Sequence, residues 1–138
     1  MITGHTRVAS AGVLAAELLV EACGAGDNLQ AETVRDLAED LGRGLAAPVE
    51  AAGADSLVES ALACADLATL AACNVAGLDG PPAIAATHLA AGAARALAAL
   101  AEVEIGAPGD GYAENASRDL RSAVWKADLA VRQLGEGV

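Results

Sequence analysis

Three residues on one stretch of this chain have the types and spacing for chemistry. His88, Arg95 and Glu102 stand seven residues apart, which on a helix of about 3.6 residues per turn puts them on one side. An imidazole to move a proton, a guanidinium to hold an anion and a carboxylate to orient either would make a small acid–base site. With Asn74, a polar residue in apolar surroundings, His88 and Arg95 form the candidate ligand-binding set of a cleft between helices. The simpler account is a wet edge on an otherwise apolar helix, because burial would strand a charge. No residue is assigned a catalytic role.

Cys23, Cys64 and Cys73, with His5 and His88, supply the side chains that zinc favours. None of them pair at zinc-motif spacing, and Cys64 and Cys73, nine apart, point to nearly opposite sides of one helix. No metal site and no cofactor are expected, and the cysteines read as small buried hydrophobes. The Glu-x-x-His signature of di-iron bundles is absent, since Glu precedes neither histidine by three. GxGxxG, Walker, GxSxG and HExxH patterns are also missing.

The last apolar segment concentrates positive charge. It holds four of the eight basic residues, Arg118, Arg121, Lys126 and Arg132, and the single tryptophan, Trp125. In helical projection Trp125 lies near Arg118, Arg121, Ser122 and Arg132, where a guanidinium could stack on the indole or a small anion could sit. Glu114, Asp119 and Asp128 could instead neutralise these cations on a solvated face. An exposed Trp is also a natural anchor for a second copy. Trp125, Arg118, Arg121 and Arg132 are therefore the candidate interface or anion-binding set.

The elements that must position these residues follow from composition. The 138-residue chain is 54% hydrophobic but only 1% aromatic, with no Phe. Its core must be built from Ala, Leu and Val. Alanine loses almost no side-chain entropy in a helix but buries little area, so stability has to come from close helix approach. The length suits one domain over 1–138. A net charge of −11 repels phosphate backbones and anionic lipid, which argues against nucleic acid and membrane partners. That acidity fits solubility, in a salty cytoplasm for instance, or a docking surface. Three cysteines without a CxxC point to a reducing compartment, and a soluble cytoplasmic protein is expected. The Ala-rich run Pro82 to Leu100 has the length to cross a bilayer but carries His88 and Arg95, so it reads as a core helix.

Apolar periodicity places helices over Arg7 to Cys23, with core positions Val8, Gly12, Ala15, Leu18, Leu19 and Ala22, and over Leu29 to Leu45, with Val34, Leu37, Ala38, Leu41 and Leu45 inward. Ser56 to Gly77 has almost no wet side and reads as a central helix, opened by a Ser56/Glu59 capping box. Thr69, Asn74 and Thr87 fall near the turn that follows. Pro81 or Pro82 opens a helix through Ile105 with Leu89, Ala93, Ala96, Leu97, Leu100 and Val103 inward. Tyr112 to Leu134 forms the last, with Asp110 as its cap and Ala116, Leu120, Ala123, Val124, Ala127, Val131 and Leu134 inward. Pro48 begins a short helix ending at Gly53. Short connections predict an all-α, up-and-down bundle of four long helices plus one short or peripheral helix.

The proline-opened penultimate segment (PPAIAATHLAAGAARALAAL) and the Ala-spaced last one (AENASRDLRSAVWKADLAVRQL) resemble the C-terminal half of the folate cyclodeaminase and cyclohydrolase helical family. The likeness is compositional and spans the last third of the chain. It implies a small-molecule enzyme. Members of that family open their first helix with a PGGGS-type segment where this chain has TGHTRVAS, so no substrate or catalytic residue carries over. The reading favoured by the residues is a self-associating structural or interaction protein, a homodimer with Trp125 and small-residue helix faces in contact. A small-molecule enzyme or binder using an inter-helix cleft is the alternative, and a module for an unidentified protein partner the third.

Overall fold

The computed structural model describes residues 5–24, 28–46, 54–105 and 111–136. Five helices follow one another: α1 (His5–Cys23), α2 (Leu29–Ala46), α3 (Ala54–Asn74), α4 (Gly80–Ile105) and α5 (Gly111–Glu136), with a 3₁₀ turn at Val75–Gly77. There is no strand among the described residues, and the fold is the expected all-α bundle. The expected short helix from Pro48 to Gly53 and the Asp110 cap lie outside the described residues.

Local signals explain most of the ends. Gly24 closes α1 at φ +58°, a left-handed conformation that costs glycine nothing, and its N–H donates to the Glu21 carbonyl at 3.0 Å. The Asn28 side chain caps α2 by accepting from the Ala31 N–H at 2.8 Å. The Asp79 carbonyl accepts the Ala83 N–H at 3.3 Å, so Pro81 and Pro82 occupy the first turn of α4, where a missing N–H leaves no bond unmade. The expected capping box fails. Because α3 begins at Ala54, Ser56 already lies inside its first turn.

Successive helices alternate in direction. Gly42 packs against Ala16, and Leu45 against Gly12, so α2 runs back along α1. His5 lies beside Ser60, while at the other end the Asp79 N–H donates to the Ala22 carbonyl at 2.9 Å; α1 and α3 are parallel. Lys126 faces Asp66 and Cys73 faces Gln133, which makes α5 parallel to α3. The α3–α4 pair is innermost. α3 touches all four other helices, α1 and α5 flank the pair, and α2 lies outside, against α1 and the edge of α3. This is the peripheral helix of the expected bundle, although at 18 residues it is nearly as long as α1.

Alanine does the packing. On α4 the buried positions are Ala83, Ala86, Thr87, Ala90, Ala91, Ala93, Ala94, Leu97, Ala98 and Ala101. The expected inward stripe is therefore only partly inward: Ala93 and Leu97 are buried, Leu89 and Leu100 are half-buried, Ala96 is exposed and Val103 is 84% exposed. The physical reason is spacing. Three helices press on α4, and backbones come close only across residues with a single methyl group. Leu37 on α2 is likewise 46% exposed, although it was expected inward. α2 has covered neighbours on too narrow an arc to bury its whole apolar face.

Candidate functional site

The candidate residues fall into three separate places. His88, Arg95 and Glu102 are exposed on the outer side of α4, as the wet-edge account requires. The Arg95 guanidinium donates to Asp128 of α5 at 2.7 Å, with both side chains about half exposed. That pair ties α4 to α5, and it occupies the one group that could have clamped an anion beside His88. Solvent screens such a pair, so it stabilises by less than about 1 kcal/mol.

Asn74 is elsewhere. Its Nδ2 donates to the Leu70 carbonyl at 2.8 Å, and its Oδ1 accepts from Gln30 Nε2 of α2 at 3.0 Å. The side chain thus fixes how the start of α2 sits on the end of α3, and it makes no cap for the 3₁₀ turn. Asn74 and Gln30 form one wall of an open groove of about 500 Å³ between α2 and α3, continued by Leu29, Thr33, Val34, Leu37 and Leu70. Neither His88 nor Arg95 lines it. Thr69 and Thr87 bond to carbonyls one turn back, Ala65 and Ala83, and are satisfied within their own helices.

A second groove, of about 390 Å³, runs along the other side of α2, against α1. Val13, Ala16 and Val20 of α1 and Ala38, Gly42 and Ala46 of α2 make its apolar floor, with Glu17, Glu39 and Arg43 at the rim. Arg43 is engaged by Asp40. This groove lies off the most periodic face of α1. The available signal was the Val13/Val20 pair, seven apart and off that face, opposite Gly42, which lets α2 approach Ala16.

Trp125 is the largest exposed apolar side chain, 59% accessible on the outer face of α5. Arg118, Arg121 and Arg132 are exposed on the same helix. Arg118 donates to Asn115 Oδ1 at 3.2 Å. Among the described residues no carboxylate holds Arg118, Arg121 or Arg132, and the fourth cation of the helix, Lys126, faces Asp66 at 3.5 Å.

The thiols and the buried histidine divide by burial. Cys23 and Cys64 are buried, and Cys73 is exposed. Burial pushes the Cys64 thiol up to about 12, and it pushes Cys23 up against the opposing pull of Arg35. A thiolate is the reactive form, so both are poor nucleophiles. His5 is buried, with Nε2 3.5 Å from Ser60 Oγ, and desolvation lowers its pKa below 6.5. No group of three or more His, Cys, Asp or Glu among the described residues is arranged to hold a metal ion.

Two helical stretches, Ser56–Gly77 and Gly80–Val103, are long and apolar enough to cross a bilayer, and each is half buried within the bundle. The core helix of a folded bundle has the same composition. No protein-family model matches the chain, and neither does any curated protein or solved structure with which it was compared.

Proposed function

We propose that this chain is a self-associating structural or interaction protein of the cytoplasm, a single bundle domain over 1–138 that forms a homo-oligomer, in its smallest form a homodimer. The observation that carries this reading is a set of large apolar side chains left at the surface. The interior is filled with alanine, while Trp125, Leu29 and Leu37 are 59%, 78% and 46% exposed. Folding gains stability by burying such side chains, as it does Leu19, Leu57, Leu67, Leu97 and Leu120, so those left outside are available to a partner. A −11 protein is a poor match for nucleic acid or anionic lipid, which favours another protein surface as the macromolecular partner. Sedimentation velocity across a hundredfold dilution from tens of micromolar tests this. The expected result is a reversible, concentration-dependent shift from oligomer to monomer; a single monomeric boundary throughout contradicts it.

One observation favours a second reading. The α2–α3 groove presents the Asn74 and Gln30 amides beside Leu29, Leu37 and Leu70, a lining suited to a small, mostly apolar ligand with one hydrogen-bonding group. In that case Asn74 is a ligand-binding residue, while His88 and Arg95 serve the surface of α4. The enzyme suggested by the resemblance to the folate family would need a reactive group in this groove. A Gln30→Ala/Asn74→Ala variant that stays folded but loses a ligand bound by the parent supports the binder.

A further inference from the structure

Self-association of this molecule has an electrostatic obstacle and a local solution to it. Two copies each carrying −11 repel, so a stable contact needs cations on one side and carboxylates on the other. Among the described residues, the cations that no carboxylate engages are Arg7, Arg35, Arg118, Arg121 and Arg132. Arg35 donates to the Gly24 carbonyl. Three of the remaining four stand on the outer face of α5 with Trp125. The α1–α2 groove has the complementary make-up: an apolar floor of Val13, Ala16, Val20 and Ala38, with Glu17 and Glu39 exposed at its rim beside Arg43, whose charge Asp40 engages. It is an open groove of about 390 Å³.

We propose that Trp125 of one copy seats in the α1–α2 groove of the next, with Arg118, Arg121 and Arg132 meeting the carboxylates Glu17 and Glu39 at its rim. This rests on the self-association reading and names its contact. α5 packs on α3 and α4, whereas α2 packs on α1 and the edge of α3, so the indole and the groove lie on opposite flanks of the inner pair. One interface therefore cannot satisfy both copies reciprocally. The contact is heterologous, and each dimer retains a free indole at one end and a free groove at the other. Such a contact propagates into a ring or an open chain.

The test uses the full chain and two surface variants. Trp125→Ala removes the knob, and Glu17→Lys/Glu39→Lys reverses the rim of the groove; all three positions are exposed, and helicity by circular dichroism checks that both variants fold. Each variant alone should sediment as a monomer, with its dissociation constant raised at least tenfold. Mixed one to one they should form heterodimers and nothing larger, because only the indole of the groove variant and the groove of the Trp125→Ala variant remain competent. In the parent, fluorescence of the sole tryptophan should shift to the blue as concentration rises. If both variants assemble as well as the parent, this contact is wrong although the chain self-associates. If the parent is monomeric, the self-association reading fails and takes this contact with it.

Discussion

α4 and α2 are built on opposite principles. α4 packs against α1, α3 and α5 through an almost unbroken ridge of alanines around the buried Leu97, while Leu89 and Leu100 are half-buried and Val103 is exposed. α2 meets two neighbours, carries Leu29 and Leu37 in the open and has a groove on either side. Methyl-sized side chains let backbones approach until no cavity remains, whereas branched side chains on a partly covered helix hold neighbours apart and leave clefts. Among the described residues, both grooves border α2, and the outer face of α5 carries the exposed Trp125.

The contrast predicts unequal responses to substitution. Leu97, fully buried on α4, is one of the few large side chains in the alanine core, and Leu97→Ala should cost about 3 kcal/mol in denaturant unfolding through the cavity it leaves. Leu37→Ala on α2 should cost less than about 0.5 kcal/mol. Similar losses at the two sites would remove the distinction. Enlarging the core should also hurt. Ala94 is fully buried on α4, and Ala94→Leu should destabilise by about 2 kcal/mol because the rods on either side cannot move apart locally; a stabilised variant would mean that the alanine interface is loosely packed.

Gly12 marks where the two principles meet. A Cβ there would stand 2.7 Å from Cys64 Sγ and 2.9 Å from Leu45 Cδ1, so any larger residue obliges one of these side chains, on α3 or α2, to shift. Gly12→Ala should cost about 1 kcal/mol in thermal or denaturant unfolding, since the gain in helix propensity offsets part of the clash. An unchanged midpoint would show that the Leu45 side chain moves aside freely.

The smallest expected effect is a pH dependence set by His5. Its folded pKa lies below 6.5 because burial disfavours the charged ring, so the unfolded chain takes up the proton first. This part of the stability is present in full above pH 6.5 and is lost as pH falls from there through the lowered folded value. His5→Gln should flatten that portion of a stability-versus-pH curve. An identical slope in the variant would assign it to other groups.

The sequence announced the helices far better than their orientation. The Pro81–Pro82 pair marked an end that the fold uses, and the Ala-spaced pattern of α5 put Ala116, Leu120, Ala123, Ala127 and Leu134 inside. The faces of α2 and α4 were less legible, because a hydrophobicity pattern weights leucine and valine above alanine, whereas packing at minimal separation prefers alanine. That is why Val103 and Leu37 were expected inside. For the site, the exposed Trp125 among arginines was visible in helical projection, and so was the wet edge at His88, Arg95 and Glu102. The grooves beside α2 were not, since each is shared by helices whose pairing depends on where Gly12 and Gly42 allow close approach. The bond from Gln30 to Asn74 spans 44 residues and has no local signature at all.

Amide hydrogen exchange resolved by helix tests the division most directly. The alanine-locked pair should open last, with α3 and α4 amides exchanging only through global unfolding, while those of α2 exchange earlier through a partial opening that leaves the pair intact. Protection of α2 equal to that of α4, or loss of the α3–α4 pair before α2, would contradict it.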